Sequence, residues 1–99
     1  MAAKYYFKYE VREGRPGCAD DDSYVSRPYD TFESAYRNMV SFDVDNFWPY
    51  LRSVRELWIW QEGQPKVNVE SSFGITTDDL PKLGVTKEEF SSLQKSMRL

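Results

Sequence analysis

The chain has 99 residues, sixteen of them aromatic, with no histidine, one cysteine and a formal charge of −3. A lone Cys18 permits no intramolecular disulfide and favours a reducing compartment. Without histidine, a Cys–His nucleophile and the usual zinc ligand sets are excluded. Residues 1–50 carry six basic and nine acidic side chains, residues 51–99 seven of each, a poor balance for gripping phosphate backbones and a suitable one for a basic partner.

A chain of this length fits one domain, residues 1–99, and must pack efficiently, which large aromatics make feasible. No run approaches the eighteen or so apolar residues of a membrane span, and the N-terminus lacks the order of a signal peptide. The expected setting is cytoplasmic, with no membrane partner.

Residues 4–12 alternate. Tyr5, Phe7, Tyr9 and Val11 fall on one side, with Lys4, Tyr6, Lys8, Glu10 and Arg12 on the other. That period of two predicts a half-buried strand. Residues 13–22 are rich in turn formers and charge and predict a mobile loop, after which 23–27 pair back onto the first strand. Asp30 with Glu33 has capping-box spacing, and Phe32, Ala35, Tyr36, Met39 and Val40 mark one helical face. Over 43–53, Phe47, Tyr50, Leu51 and Val54 keep helical spacing. Asn46 as a cap and Pro49 in a first turn predict a further short helix.

Residues 55–61 are β-branched and aromatic, 62–65 form a turn, and 66–70 return with Val67 and Val69 inward. A helical segment over 77–98 follows. It opens with a short turn at Thr77 to Leu80, which Gly84 ends, and continues with a capping box at Thr86 and Glu89 leading a helix that aligns Phe90, Leu93 and Met97. The sum is an α+β fold, β-β-α-(α)-β-β-α, a single-layer antiparallel sheet of about four strands with two or three helices on one face.

Leu57 and Ile59 point to one side of their strand, and Trp58 and Trp60 to the other. A one-layer sheet needs only one apolar face, so the tryptophans are covered either by the tail helix or by a partner, with Tyr6 extending that surface. Trp48, projecting from the 43–53 segment, is a second anchor or else packs over a sheet edge. Asp20, Asp21 and Asp22 lack the spacing of a calcium loop. They read as a solvated turn or, with Glu10 and Glu13, as an acidic patch for a basic partner. Asp43 and Asp45 are the nearest further carboxylates in the chain. No metal or cofactor is expected.

The combined expectation is a non-catalytic protein-binding module, an adaptor or stoichiometric inhibitor. Its partner-binding residues are Trp48, Trp58, Trp60, Tyr6, Asp20, Asp21 and Asp22, and its partner has a basic or apolar contact surface. Small acidic inhibitors carried by phages or mobile elements are an analogous group by size and charge alone. The alternative is a single-stranded nucleic-acid binder that stacks bases on Tyr6, Trp58 and Trp60 between the cations Lys4 and Lys8, although the glycine–aromatic signature of such sheets is absent.

Overall fold

The computed structural model describes residues 3–12, 21–47, 54–70 and 72–99, with the backbone alone at 11–12, 21–22, 46–47 and 54–55. Four strands, β1 (Tyr5–Arg12), β2 (Asp21–Val25), β3 (Val54–Gln61) and β4 (Val67–Val69), form an antiparallel sheet in the order β2-β1-β3-β4. Among the described residues there are two α-helices, α1 (Phe32–Phe47) between β2 and β3 and α2 (Lys87–Ser96) after β4, with a 3-10 turn at Leu80–Leu83 before the second. The expected α+β class and single antiparallel sheet are observed. The number and limits of the helices differ.

Strand β1 lies inside the sheet, paired with β2 on one side and β3 on the other. Phe7 and Tyr9 are buried and Tyr5 is partly buried against the core. They meet Leu57 and Ile59 of β3, which are fully buried, and Val67 and Val69 continue the face onto β4. Helix α1 lays Phe32, Ala35, Tyr36, Met39 and Val40 on this face, the stripe that its spacing predicts. The 3-10 turn adds Leu80 and Leu83, and α2 adds Phe90 and Leu93, with Met97 at the margin. Each such side chain stabilises the fold by about 1.5–3 kcal/mol relative to leaving it in water.

Ladder ends are closed by side chains. Beyond Val25 the amide of Ser26 still donates to the Phe7 carbonyl at 2.9 Å, but the Phe7 amide donates to Ser26 Oγ instead of to a carbonyl. The chain then bends outward and returns at Tyr29, which exchanges two 2.8 Å backbone bonds with Tyr5. Strand β2 begins at Asp21, because β1 extends far enough to pair Arg12 with Asp21 and Val11 with Asp22. Asp21 and Asp22 are therefore strand residues, a correction to the loop expected over 13–22, of which 13–20 lie outside the described residues.

Helix α1 starts one residue later than the capping-box spacing suggests. Thr31 Oγ1 accepts from the Ser34 amide at 3.1 Å, so Thr31 is the cap. Asp30 is instead ion-paired with Lys4, and Glu33 pairs with Arg37 one turn on at 3.1 Å. The separate short helix expected over 43–53 is not formed in its described part. Residues 41–46 contain neither glycine nor proline, and the buried stripe continues from Met39 and Val40 to Asp43, so α1 runs unbroken to Phe47. Asn46 lies inside its last turn rather than at a cap, Val54 already belongs to β3, and residues 48–53 lie outside the described residues.

The tail follows its signals more closely. Gly84 takes φ 67° and its amide closes onto the Pro81 carbonyl at 3.1 Å, a left-handed stop for which glycine is suited. The turn it ends spans Leu80–Leu83, later than the expected Thr77 to Leu80. The Thr86 capping box is complete: the Glu89 amide donates to Thr86 Oγ1 at 3.1 Å, and the Thr86 amide to Glu89 Oε1 at 3.3 Å. Among the described residues no helix is long and apolar enough to cross a membrane.

Candidate partner-binding face of the sheet

The described helices pack on one side of the sheet. The buried residues of α1, α2 and the 3-10 turn join a single cluster with Phe7, Tyr9, Leu57 and Ile59. Tail residues Phe90 and Leu93 therefore pack on the α1 side, Phe90 edge-on to Phe32 and Tyr36 at 6.2 and 5.4 Å. Among the described residues no helix lies over Tyr6, Trp58 and Trp60, which are half-buried. The tail helix does not cover the tryptophans.

Register orders this face into rows. Tyr6 stands opposite Trp60, and their rings stack at a centroid distance of 5.7 Å with planes 17° apart. On the β4 side of Trp60, Lys66 Nζ lies 5.0 Å from the indole centroid. Strands β1 and β4 flank β3 on opposite sides, so the indole is sandwiched between a phenol and an ammonium group. The next row runs Val25, Lys8, Trp58, Asn68, and the one after it places Glu10 directly opposite Glu56. The face thus grades from aromatic to acidic over about 13 Å, the rise of four strand residues.

Three lysines on or near this face are already engaged. Lys8 pairs with Glu10 at 2.7 Å, Lys66 rests over Trp60, and Lys4 is drawn off the face by Asp30. The Lys4–Asp30 hydrogen bond and charge hold the lysine above its ordinary pKa of 10.5 and the aspartate below 3.8. Glu56 is exposed and has no hydrogen bond or ion pair among the described residues.

Of the residues expected to bind, Tyr6, Trp58 and Trp60 come together. Asp21 and Asp22 are placed by their backbone at the far end of β2, opposite Arg12 and Val11. Trp48 and Asp20, like Cys18 and Glu13, lie outside the described residues. Asp43 is buried and Asp45 exposed, two positions apart on α1, so they do not converge. No group of three or more acidic or cysteine residues able to hold a metal is assembled among the described residues.

Spacing did not reveal the Lys66–Trp60 contact or the Glu10–Glu56 opposition. The first depends on the β3–β4 register, which the hairpin turn at 62–65 sets with Gly63 at φ 82°, and the second on the long-range β1–β3 register.

A second concavity, of about 840 Å³, opens between the start of α1 and α2 and is lined by Tyr5, Asp30, Glu33, Arg37, Glu88 and Glu89. Its carboxylates mostly serve the fold: Asp30 binds Lys4, Glu33 binds Arg37, and Glu89 completes the cap of α2. Tyr5 spans its floor and donates to the Leu83 carbonyl at 2.9 Å. Burial, then the charge of Glu89, raise the pKa of that phenol above 10.0.

No family model matches the chain, and no curated protein or solved structure matches it.

Proposed function

We propose that this chain is a non-catalytic protein-binding module, an adaptor or stoichiometric inhibitor, that meets its partner with the open face of its sheet through Tyr6, Trp58 and Trp60. One observation carries this reading: three large aromatics stand together on a rigid sheet face over which no described helix lies. Tryptophan and tyrosine on a preordered surface bury much area for little ordering cost, which makes them frequent anchors of protein interfaces.

The nucleic-acid alternative draws on the same side chains, and two details favour a protein partner. Base stacking needs a free ring face, whereas Trp60 already has Tyr6 on one side and Lys66 on the other. Phosphate binding needs free cations, whereas Lys4 and Lys8 are held by Asp30 and Glu10.

An affinity pulldown from host lysate, split into nuclease-treated and untreated halves, tests the reading. The wild-type chain should retain the same protein in both halves, and a Trp58→Ala/Trp60→Ala variant with an unchanged circular dichroism spectrum should lose it. Retention that depends on nucleic acid, or that survives the double substitution, counts against the proposal.

A further inference from the structure

The open face carries an exposed carboxylate that no described cation pairs with. Glu10 and Glu56 stand directly opposite one another across β1 and β3, an arrangement in which like charges repel. Lys8 neutralises only the first. Glu56 remains exposed and unpaired among the described residues, about two strand residues, or 7 Å, from Trp58 and beside the aromatic rows. Among the described side chains, Lys4 holds Asp30 and Lys66 covers Trp60, so neither reaches Glu56 without giving up a contact it already makes. A second copy meeting it through the same face would bring lysines that are already engaged.

We infer that the partner is a basic protein segment that seats an apolar or aromatic side chain against Tyr6, Trp58 and Trp60 while its lysine or arginine reaches Glu56. The inference rests on reading this face as a protein-binding surface and adds the chemistry of the occupant. A segment lying extended along β3 would carry its cation roughly two to four residues from its apolar anchor, matching the 7–13 Å, approximately, between the aromatic rows and Glu56. The chain's net charge of −3 would speed its encounter with such a segment.

Selection of a phage-displayed random-peptide library on the immobilised chain provides the test. Enriched peptides should share an aromatic or large aliphatic residue with a lysine or arginine two to four positions away, and should fail to bind Trp58→Ala or Trp60→Ala. A representative synthetic peptide should bind Glu56→Gln about fivefold more weakly, the effect of an exposed ion pair worth about 1 kcal/mol. Replacing its cation with norleucine should cost the same factor on the wild type and nothing further on Glu56→Gln.

Peptides that need the tryptophans but are neutral, or indifferent to Glu56→Gln, would overturn the inferred chemistry and leave the face as a binding surface. Peptides indifferent to the tryptophans, or no enrichment, would remove both. Self-association of the chain alone in sedimentation velocity, abolished by Trp60→Ala, would make the occupant a second copy and overturn the inference.

Discussion

Tyr6 and Trp60 stack across the β1–β3 ladder with ring centroids 5.7 Å apart, on the side of the sheet opposite the core. In a sheet covered on one side only, the outer residues of central strands are ordinarily polar. Here the outer row pairs two large rings and caps the second with Lys66. These contacts hold the rings in place before any partner arrives, so little rotamer entropy remains to be lost on binding.

The stack should contribute modestly to folding. A double-mutant cycle of Tyr6→Ala and Trp60→Ala, followed by urea denaturation, is expected to give a coupling of about 0.5–1 kcal/mol. Leu57→Ala, on the buried face of the same strand, should cost about 2–5 kcal/mol. A Trp60→Ala loss as large as that of Leu57→Ala would place the indole in the core.

Glu56 should carry a stability cost that its proposed role explains. Placing a cation opposite Glu10 removes the like-charge repulsion, so Glu56→Lys is expected to stabilise the isolated chain by roughly 0.2–1 kcal/mol, less at high salt. The same change should abolish binding of a basic partner. A destabilised Glu56→Lys chain would show that the glutamate supports the fold.

The two candidate caps of α1 separate cleanly. Thr31→Ala removes the acceptor for the Ser34 amide and should cost about 1 kcal/mol, a fall of roughly 4–8 °C in Tm for a domain of this size. Asp30→Ala removes only an exposed ion pair and should shift Tm far less. Comparable losses at the two positions would return the capping role to Asp30.

The Lys4–Asp30 pair also sets a pH signature. Asp30 has a folded pKa below 3.8, so its contribution is present above that value and is lost as pH falls through the lower folded value. Lys4 has a folded pKa above 10.5, so its contribution is full below that value and disappears as pH rises through the higher one. The small Tm gap between wild type and Asp30→Asn should therefore be flat between pH 5 and 9, roughly, and close at both extremes. A gap that widens on acidification would contradict the pairing.

Tyr36 ties α1 to the loop before the tail. It is fully buried, and its hydroxyl donates to the Phe73 carbonyl at 2.6 Å. Tyr36→Phe removes this hydrogen bond and should cost about 0.5–1.5 kcal/mol in chemical denaturation. Burial raises the hydroxyl's pKa above 10.0, partly opposed by a hydrogen bond with Gln94, so its contribution should fade only as pH rises beyond that value.

Features set within a few residues were legible in the sequence. The alternation of β1, the stripe of α1, the Thr86–Glu89 box and the Gly84 stop all rest on local periodicity or local hydrogen bonds. Departures arose where distant residues compete. Asp30 had the right type and spacing to cap, but Lys4, 26 positions away, claims its carboxylate. The extension of β2 to Asp21 follows from the length of β1, not from the turn-forming composition around it. For the candidate face, parity placed Tyr6, Trp58 and Trp60 off the core side. Which side the tail helix would cover depends on its packing against Phe32 and Tyr36, a tertiary choice that spacing within the tail does not encode.

The central claim is that Tyr6, Trp58 and Trp60 form the partner-contacting surface. Its most direct measurement is the affinity of the purified partner for the wild type and for each alanine variant by titration calorimetry, with denaturation curves run in parallel. Hot-spot tryptophans predict at least about a 30-fold rise in Kd for Trp58→Ala and for Trp60→Ala with folding intact. A partner that binds these folded variants as tightly as the wild type would contradict the account.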